Sequence, residues 1–212
     1  MDPHGDEPLV EHGEPLGKAP VLIMVHGRGA GPQNILDLVP RLGRTGWTYL
    51  APTAAGRSWY PYSFMANRAQ NEPGLSSALE MLGDLLQRVL KAGVLPSRIV
   101  LLGFSQGACL TAEFAASHPR RYGGVLIFSG GLIGPPGSLE ASQGSLKGTP
   151  VFLGCSDVDG HVPRVRVEES AALFTKMGAT TTCRIYPGIG HLIIDDEIDV
   201  ARQVMKDVDG LP

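Results

Sequence analysis

The run Ile99-Val-Leu-Leu-Gly103-Phe104-Ser105-Gln106-Gly107-Ala-Cys109-Leu110 decides how this chain is read. Ile99 to Leu102 is apolar without alternation, the pattern of a parallel strand covered on both faces. Gly103 to Gly107 is a G-x-S-x-G, and a helical pattern runs from Gln106 to Ser117. Strand, sharp turn and helix in that order push the turn serine into a strained, exposed position. The two glycines permit close approach of neighbouring backbone, and the helix N-terminus leaves free N–H groups beside the Ser105 oxygen. In a chain with 28 glycines the bare motif is weak, and a helix-capping serine is the plain alternative. Its place between strand and helix gives it weight.

Outward from this turn, apolar runs alternate with helical patterns. Strands are expected at Val21–Val25, Thr48–Ala51, Arg98–Phe104, Gly124–Ser129, Pro150–Gly154 and Thr182–Tyr186. Helices are expected at Pro32–Gly43, Leu75–Ala92, Gln106–Ser117, Arg164–Met177 and Glu197–Val208. Leu75, Leu79, Leu82, Leu86 and Val89 share one stripe of the second helix, which closes at Gly93. The alternation implies an α/β fold with a mostly parallel sheet and helices on both faces. Residues 1–18 read as a polar arm or edge hairpin, and residues 19–212 as one domain. Pro52 to Pro73 is a long loop crowded with Trp59, Tyr60, Tyr62, Phe64 and Met65, which argues for a functional rather than a disordered segment.

Composition narrows the classes. The 212 residues are 43% hydrophobic and 18% charged, enough apolar material for a packed core. A net charge of −3 gives no general attraction to nucleic acid. The most hydrophobic stretch, Val21–Val25, is five residues long, far short of the ~20 residues of a membrane helix. The acidic amino end lacks the pattern of a secretory signal, so a cytoplasmic location is expected. Cys109, Cys155 and Cys183 lack C-x-x-C spacing and read as buried, reduced thiols, with no metal site expected.

A serine hydroxyl needs a base to become nucleophilic. Of six histidines, His4 and His12 lie in the polar arm, His118 ends the helix after the serine turn, His161 adjoins candidate acids and His26 belongs to another loop. His191 follows the last strand, where functional loops gather at the carboxyl ends of parallel strands. A carboxylate to orient it is expected after the strand ending at Gly154, from Asp157 or Asp159, which spacing leaves open. Oxyanion donors are expected from the N–H groups of Gln106 and of Arg28, in the loop His26-Gly-Arg-Gly29. That loop lacks the spacing of a phosphate cradle. Trp59, Tyr60, Phe64 and Met65 are candidate substrate-binding residues.

With these residues in view, the chain resembles the phospholipase/carboxylesterase family of α/β-hydrolases from about Pro20 onward. The resemblance rests on His26-Gly-x-Gly29, Ser58-Trp-Tyr60, Gly103-Phe-Ser-Gln-Gly107, Asp159-x-x-Val162-Pro163 and Gly190-His191. It implies that Asp159, three residues before the Val-Pro pair, is the acid partner of Ser105 and His191. It further implies hydrolysis of small-molecule carboxylic esters through an acyl-enzyme, without metal or organic cofactor, by a monomer or homodimer. Short- to medium-chain esters are the first expectation, and long-chain thioesters or lysophospholipids the alternative. A binding module on a retained hydrolase fold is remote, because all three residues are present. Cys155-Ser156 stands where the family commonly has His-Gly, and Gly160-His161 where Pro commonly follows the acid.

Overall fold

The structure, a computed structural model, describes residues 2–211. In chain order its strands and helices are β1 (Leu9–Gly13), β2 (Val21–Val25), α1 (Pro32–Leu36), α2 (Val39–Leu42), β3 (Thr48–Pro52), α3 (Gly74–Lys91), β4 (Ile99–Phe104), α4 (Gln106–Ser117), β5 (Gly124–Phe128), β6 (Pro150–Ser156), α5 (Arg164–Lys176), β7 (Thr180–Tyr186) and α6 (Asp195–Asp209). The seven strands form one sheet in the order β1-β3-β2-β4-β5-β6-β7. β1 pairs antiparallel with β3, and every other pairing is parallel.

The unbroken apolar strands follow from burial on two sides. Along β4, Ile99 and Leu101 enter the layer packed by α3, α4 and α5, while Val100 and Leu102 enter the opposite layer with Leu36, Leu42, Ile198 and Met205. β2 divides the same way, Val21, Ile23 and Val25 against Leu22 and Met24. Each such fully buried side chain contributes about 1.5–3 kcal/mol. The parallel order brings the carboxyl ends of β2, β4, β6 and β7 to one edge of the layers, and the loops after them build the site.

Several expectations need correcting. The single helix over 32–43 is two short ones, because Pro40 cannot donate to the carbonyl four residues back, and a new turn starts at Val39. Residues 9–13 form an edge strand on β3 rather than a free arm or a hairpin of their own. His4, read as part of a polar arm, is buried. Cys183 is exposed, because the outer edge strand β7 has one face open, whereas Cys109 and Cys155 are buried.

Candidate active site

Ser105 caps α4 at φ 56°, ψ −121°, a left-handed conformation that a non-glycine residue holds only under constraint. The constraint is visible on both sides: the Ser105 N–H donates to the Phe128 carbonyl at 3.0 Å, and the Ser105 carbonyl accepts from Cys109 N–H at 3.0 Å. A side chain at Gly107 would collide with the carbonyls of Val25 and His26, and one at Gly103 with that of Gly107. Those two glycines let α4 start directly against β2.

Three side chains from three loops are hydrogen-bonded in series. Ser105 Oγ lies 2.7 Å from His191 Nε2, and His191 Nδ1 lies 2.7 Å from Asp159 Oδ2. The Asp159 side chain is fully buried, and its Oδ1 accepts the N–H groups of His161 at 2.8 Å and Val162 at 3.1 Å. Burial alone would push its carboxyl up. The hydrogen bonds from His191, His161 and Val162 outweigh burial and hold it below the ordinary carboxylate value. The Cys155 thiol donates to Asp159 Oδ2 at 3.6 Å and is pushed up to about 12, first by burial and then by that carboxylate, so it stays protonated. Asp157 instead points at the base of the histidine loop, where it accepts the Gly188 N–H at 2.8 Å. Ser156 Oγ accepts the Gly190 N–H at 3.1 Å, so the loop before His191 is tied twice, to the last residue of β6 and to the residue after it.

Glu197, on the first turn of α6, accepts the Ile194 N–H at 3.0 Å and thereby anchors the segment after His191. Its other carboxyl oxygen is buried without a partner, and burial pushes the group up to about 7. The ring of Phe104 lies 5.0 Å from that of His191, and His161 stands edge-on to it at 4.8 Å.

Arg28 and Gln106 line the same cavity as Ser105, and their backbone N–H groups have no hydrogen-bond partner among the described residues. Their side chains converge on one carbonyl: Arg28 Nη2 and Gln106 Nε2 donate to Tyr60 O at 2.9 Å and 2.8 Å. Arg28 also grips the carbonyls of Pro61 and Tyr62, at 2.7 Å each, and Gln106 Oε1 accepts the Trp59 N–H at 3.0 Å. Nothing in the sequence pattern marked this bridge. The loop is also closed on itself through buried Asn71, which accepts the Tyr62 N–H and donates to the Ser63 carbonyl.

A cavity of about 530 Å³ opens at Ser105, with Tyr60, Phe64, Cys109 and Val162 among its walls. Of the four aromatic-loop candidates, Tyr60 and Phe64 line it. Trp59 does not: its ring is packed between His4 and His26, and its indole N–H donates to the His26 carbonyl at 2.8 Å. Met65 also lies outside the lining and packs partly buried against the core. His4 was missed as a member of this loop's support. Its Nδ1 accepts the Ala55 N–H at 3.1 Å, which leaves Nε2 to donate to the Trp59 carbonyl at 3.0 Å. His26 Nε2 accepts the adjacent Ala54 N–H at 3.2 Å, and burial holds this histidine below its ordinary value, hence neutral. Among the described residues no group of three or more His, Cys, Asp or Glu is placed to hold a metal ion.

A match to the phospholipase/carboxylesterase family runs from residue 9 to residue 208. The chain belongs to that family. A crystal structure of a phospholipase/carboxylesterase from Dyadobacter fermentans is 38% identical and superposes with a TM-score of 0.91 over 95% of this chain and 97% of that one. A probable carboxylesterase of Oryza sativa is 30% identical over 67% of this chain and 60% of its own. The acyl-protein thioesterase 1 of Gibberella zeae is 28% identical over 66% and 60%. The matched segment thus spans about three fifths of each of these two curated relatives. The fold is that of the α/β-hydrolases. No helix among the described residues is long and apolar enough to cross a membrane.

Proposed function

We propose that this member of the family is a serine carboxylesterase acting on short- to medium-chain esters. The observation that carries the reading is the unbroken series from Ser105 Oγ through His191 to Asp159, with both hydrogen bonds at 2.7 Å. His191 Nε2 takes the Ser105 proton as Oγ attacks the ester carbonyl, and Asp159 holds Nδ1–H and stabilises the imidazolium that forms. The carbonyl oxygen, now negative, accepts from the N–H groups of Arg28 and Gln106. His191 then passes its proton to the departing alkoxide, leaving an acyl group on Ser105. Water, deprotonated by the same nitrogen, attacks that acyl group, and collapse of the second intermediate returns the proton to Ser105. The acyl chain lies along Tyr60 and Phe64 toward Cys109 and Val162, in a space of about 530 Å³ that suits short and medium chains. His4, from the N-terminal segment, supports the loop that walls this cavity through Ala55 and Trp59.

The relatives named acyl-protein thioesterase support a second reading, in which the scissile bond is a thioester. Hydrolysis of matched oxygen esters and thioesters with acyl chains from two to sixteen carbons tests both. The expected result is a maximum of kcat/KM on oxygen esters below about ten carbons, with fluorophosphonate labelling of the wild type and none of Ser105→Ala. A maximum on long thioesters replaces the first reading by the second, and labelling of Ser105→Ala overturns the nucleophile assignment.

A further inference from the structure

A second hollow, about 650 Å³, adjoins the first and shares Arg28, Phe104 and His191 with it. The two lie over opposite core layers. Phe64, Cys109 and Val162 of the first belong to the layer of α3, α4 and α5, whereas Ile35 and Leu38 of the second belong to the layer of α1, α2 and α6. The second hollow is further walled by Leu192 and Ile193, the two residues after His191, and by Arg41.

We propose that this hollow receives the leaving half of the substrate, and that the leaving group it takes ends in an anion, a carboxylate or a phosphate, met by Arg41. This rests on the esterase reading of Ser105 and names a substrate class for it. Ser105 and Gln106 line only the first hollow, so the carbon under attack and its oxyanion sit there. The leaving atom must lie beside His191 Nε2, which protonates it. His191 is common to both hollows, and the chain that follows it walls only the second. A substrate with its acyl part at Tyr60 and Phe64 therefore passes its leaving part over His191 toward Leu192 and Ile193. Leu192 is 47% exposed, an apolar surface that an organic leaving group would cover.

Charge gives the end of that group its sign. The lining holds two arginines and no carboxylate. Arg28 is committed to the carbonyls of Tyr60, Pro61 and Tyr62, which leaves Arg41 as the available cation. Its side-chain partner, Asp195 at 2.9 Å, is 94% exposed, and so open a pair yields to a better-placed anion. A guanidinium presents paired donors that match carboxylate or phosphate oxygens.

The test uses ester pairs with one acyl group, butyrate, and leaving groups that differ in charge. 4-Carboxybenzyl butyrate is compared with 4-methylbenzyl butyrate, and 1-butyrylglycerol 3-phosphate with 1-butyrylglycerol. The wild type is expected to favour the anionic member of at least one pair by about tenfold or more in kcat/KM, mainly through KM. The pair showing the preference tells carboxylate from phosphate. Arg41→Gln should bring that ratio near one, and Asp195→Asn, which removes the competing carboxylate, should raise it. Thermal melts verify that both variants fold. A ratio near one in both pairs for the wild type, or a preference that survives Arg41→Gln, overturns the proposal while leaving the esterase reading intact. Failure to cleave any of the four esters overturns both.

Discussion

At the scale of single residues, the two aspartates after β6 divide the work of holding His191. Asp159 contacts the imidazole, and Asp157 contacts the Gly188 N–H at the start of the loop that carries it. Asp159→Asn should lower kcat by up to about 10⁴-fold, because an amide neither stabilises the imidazolium nor enforces the required tautomer. Asp157→Asn should cost about 1 kcal/mol of stability and little activity, since an amide oxygen still accepts the Gly188 N–H. Both variants are to be measured with one short-chain ester alongside thermal melts, and a dead Asp157→Asn beside an active Asp159→Asn would reverse the assignment. Spacing alone left these residues equivalent because they sit two apart on one turn, where a small change of backbone direction exchanges their roles. The serine turn was legible because its causes are local: an apolar strand, two glycines and a helix start within nine residues, Ile99 to Gly107.

At the scale of elements, legibility tracks sequence separation. The buried strands were readable from their unbroken apolar runs and α3 from its periodicity, and the break at Pro40 was missed because the apolar spacing continues across it. The support of the aromatic loop was not readable at all. His4 reaches Ala55 and Trp59 from 51 and 55 residues away, and no local pattern marks a lone histidine for such a place. Two neighbouring N–H groups, those of Ala54 and Ala55, each end on an imidazole nitrogen, and Trp59 packs against both rings. His4→Ala leaves the Ala55 N–H and Trp59 carbonyl without these partners and opens a gap beside the indole. The expected outcome is a loss of about 1–3 kcal/mol in stability together with a raised KM and a broader acyl-chain preference, since Tyr60 and Phe64 stand on the loosened loop. Urea melts and the ester series check it. Unchanged KM values across the series would show that the loop holds its shape without this anchor.

For the whole molecule, pH separates two buried carboxyls of opposite tendency. Asp159 is held below its ordinary value, so the stability it adds is present above that value and is lost as pH falls through the lowered one. Glu197 is pushed up to about 7 from 4.5, so the native state binds its proton more tightly than the unfolded chain does. That contribution is complete below 4.5 and is lost as pH rises through about 7. Across this window the wild type should lose stability by at most about 3 kcal/mol from this group alone. Glu197→Gln, which keeps an oxygen for the Ile194 N–H but cannot ionise, should flatten the decline of Tm between pH 5 and 8. Equal slopes in the two proteins would place the titration elsewhere. The seat of His4 also bears on the order in which the molecule is finished. Its backbone N–H donates to Ser77 Oγ, 73 residues further along, so during synthesis at roughly 5–20 residues per second His4 waits several seconds for its partner to leave the ribosome. The anchor of the cavity wall is thus seated only once the first turn of α3 has been made.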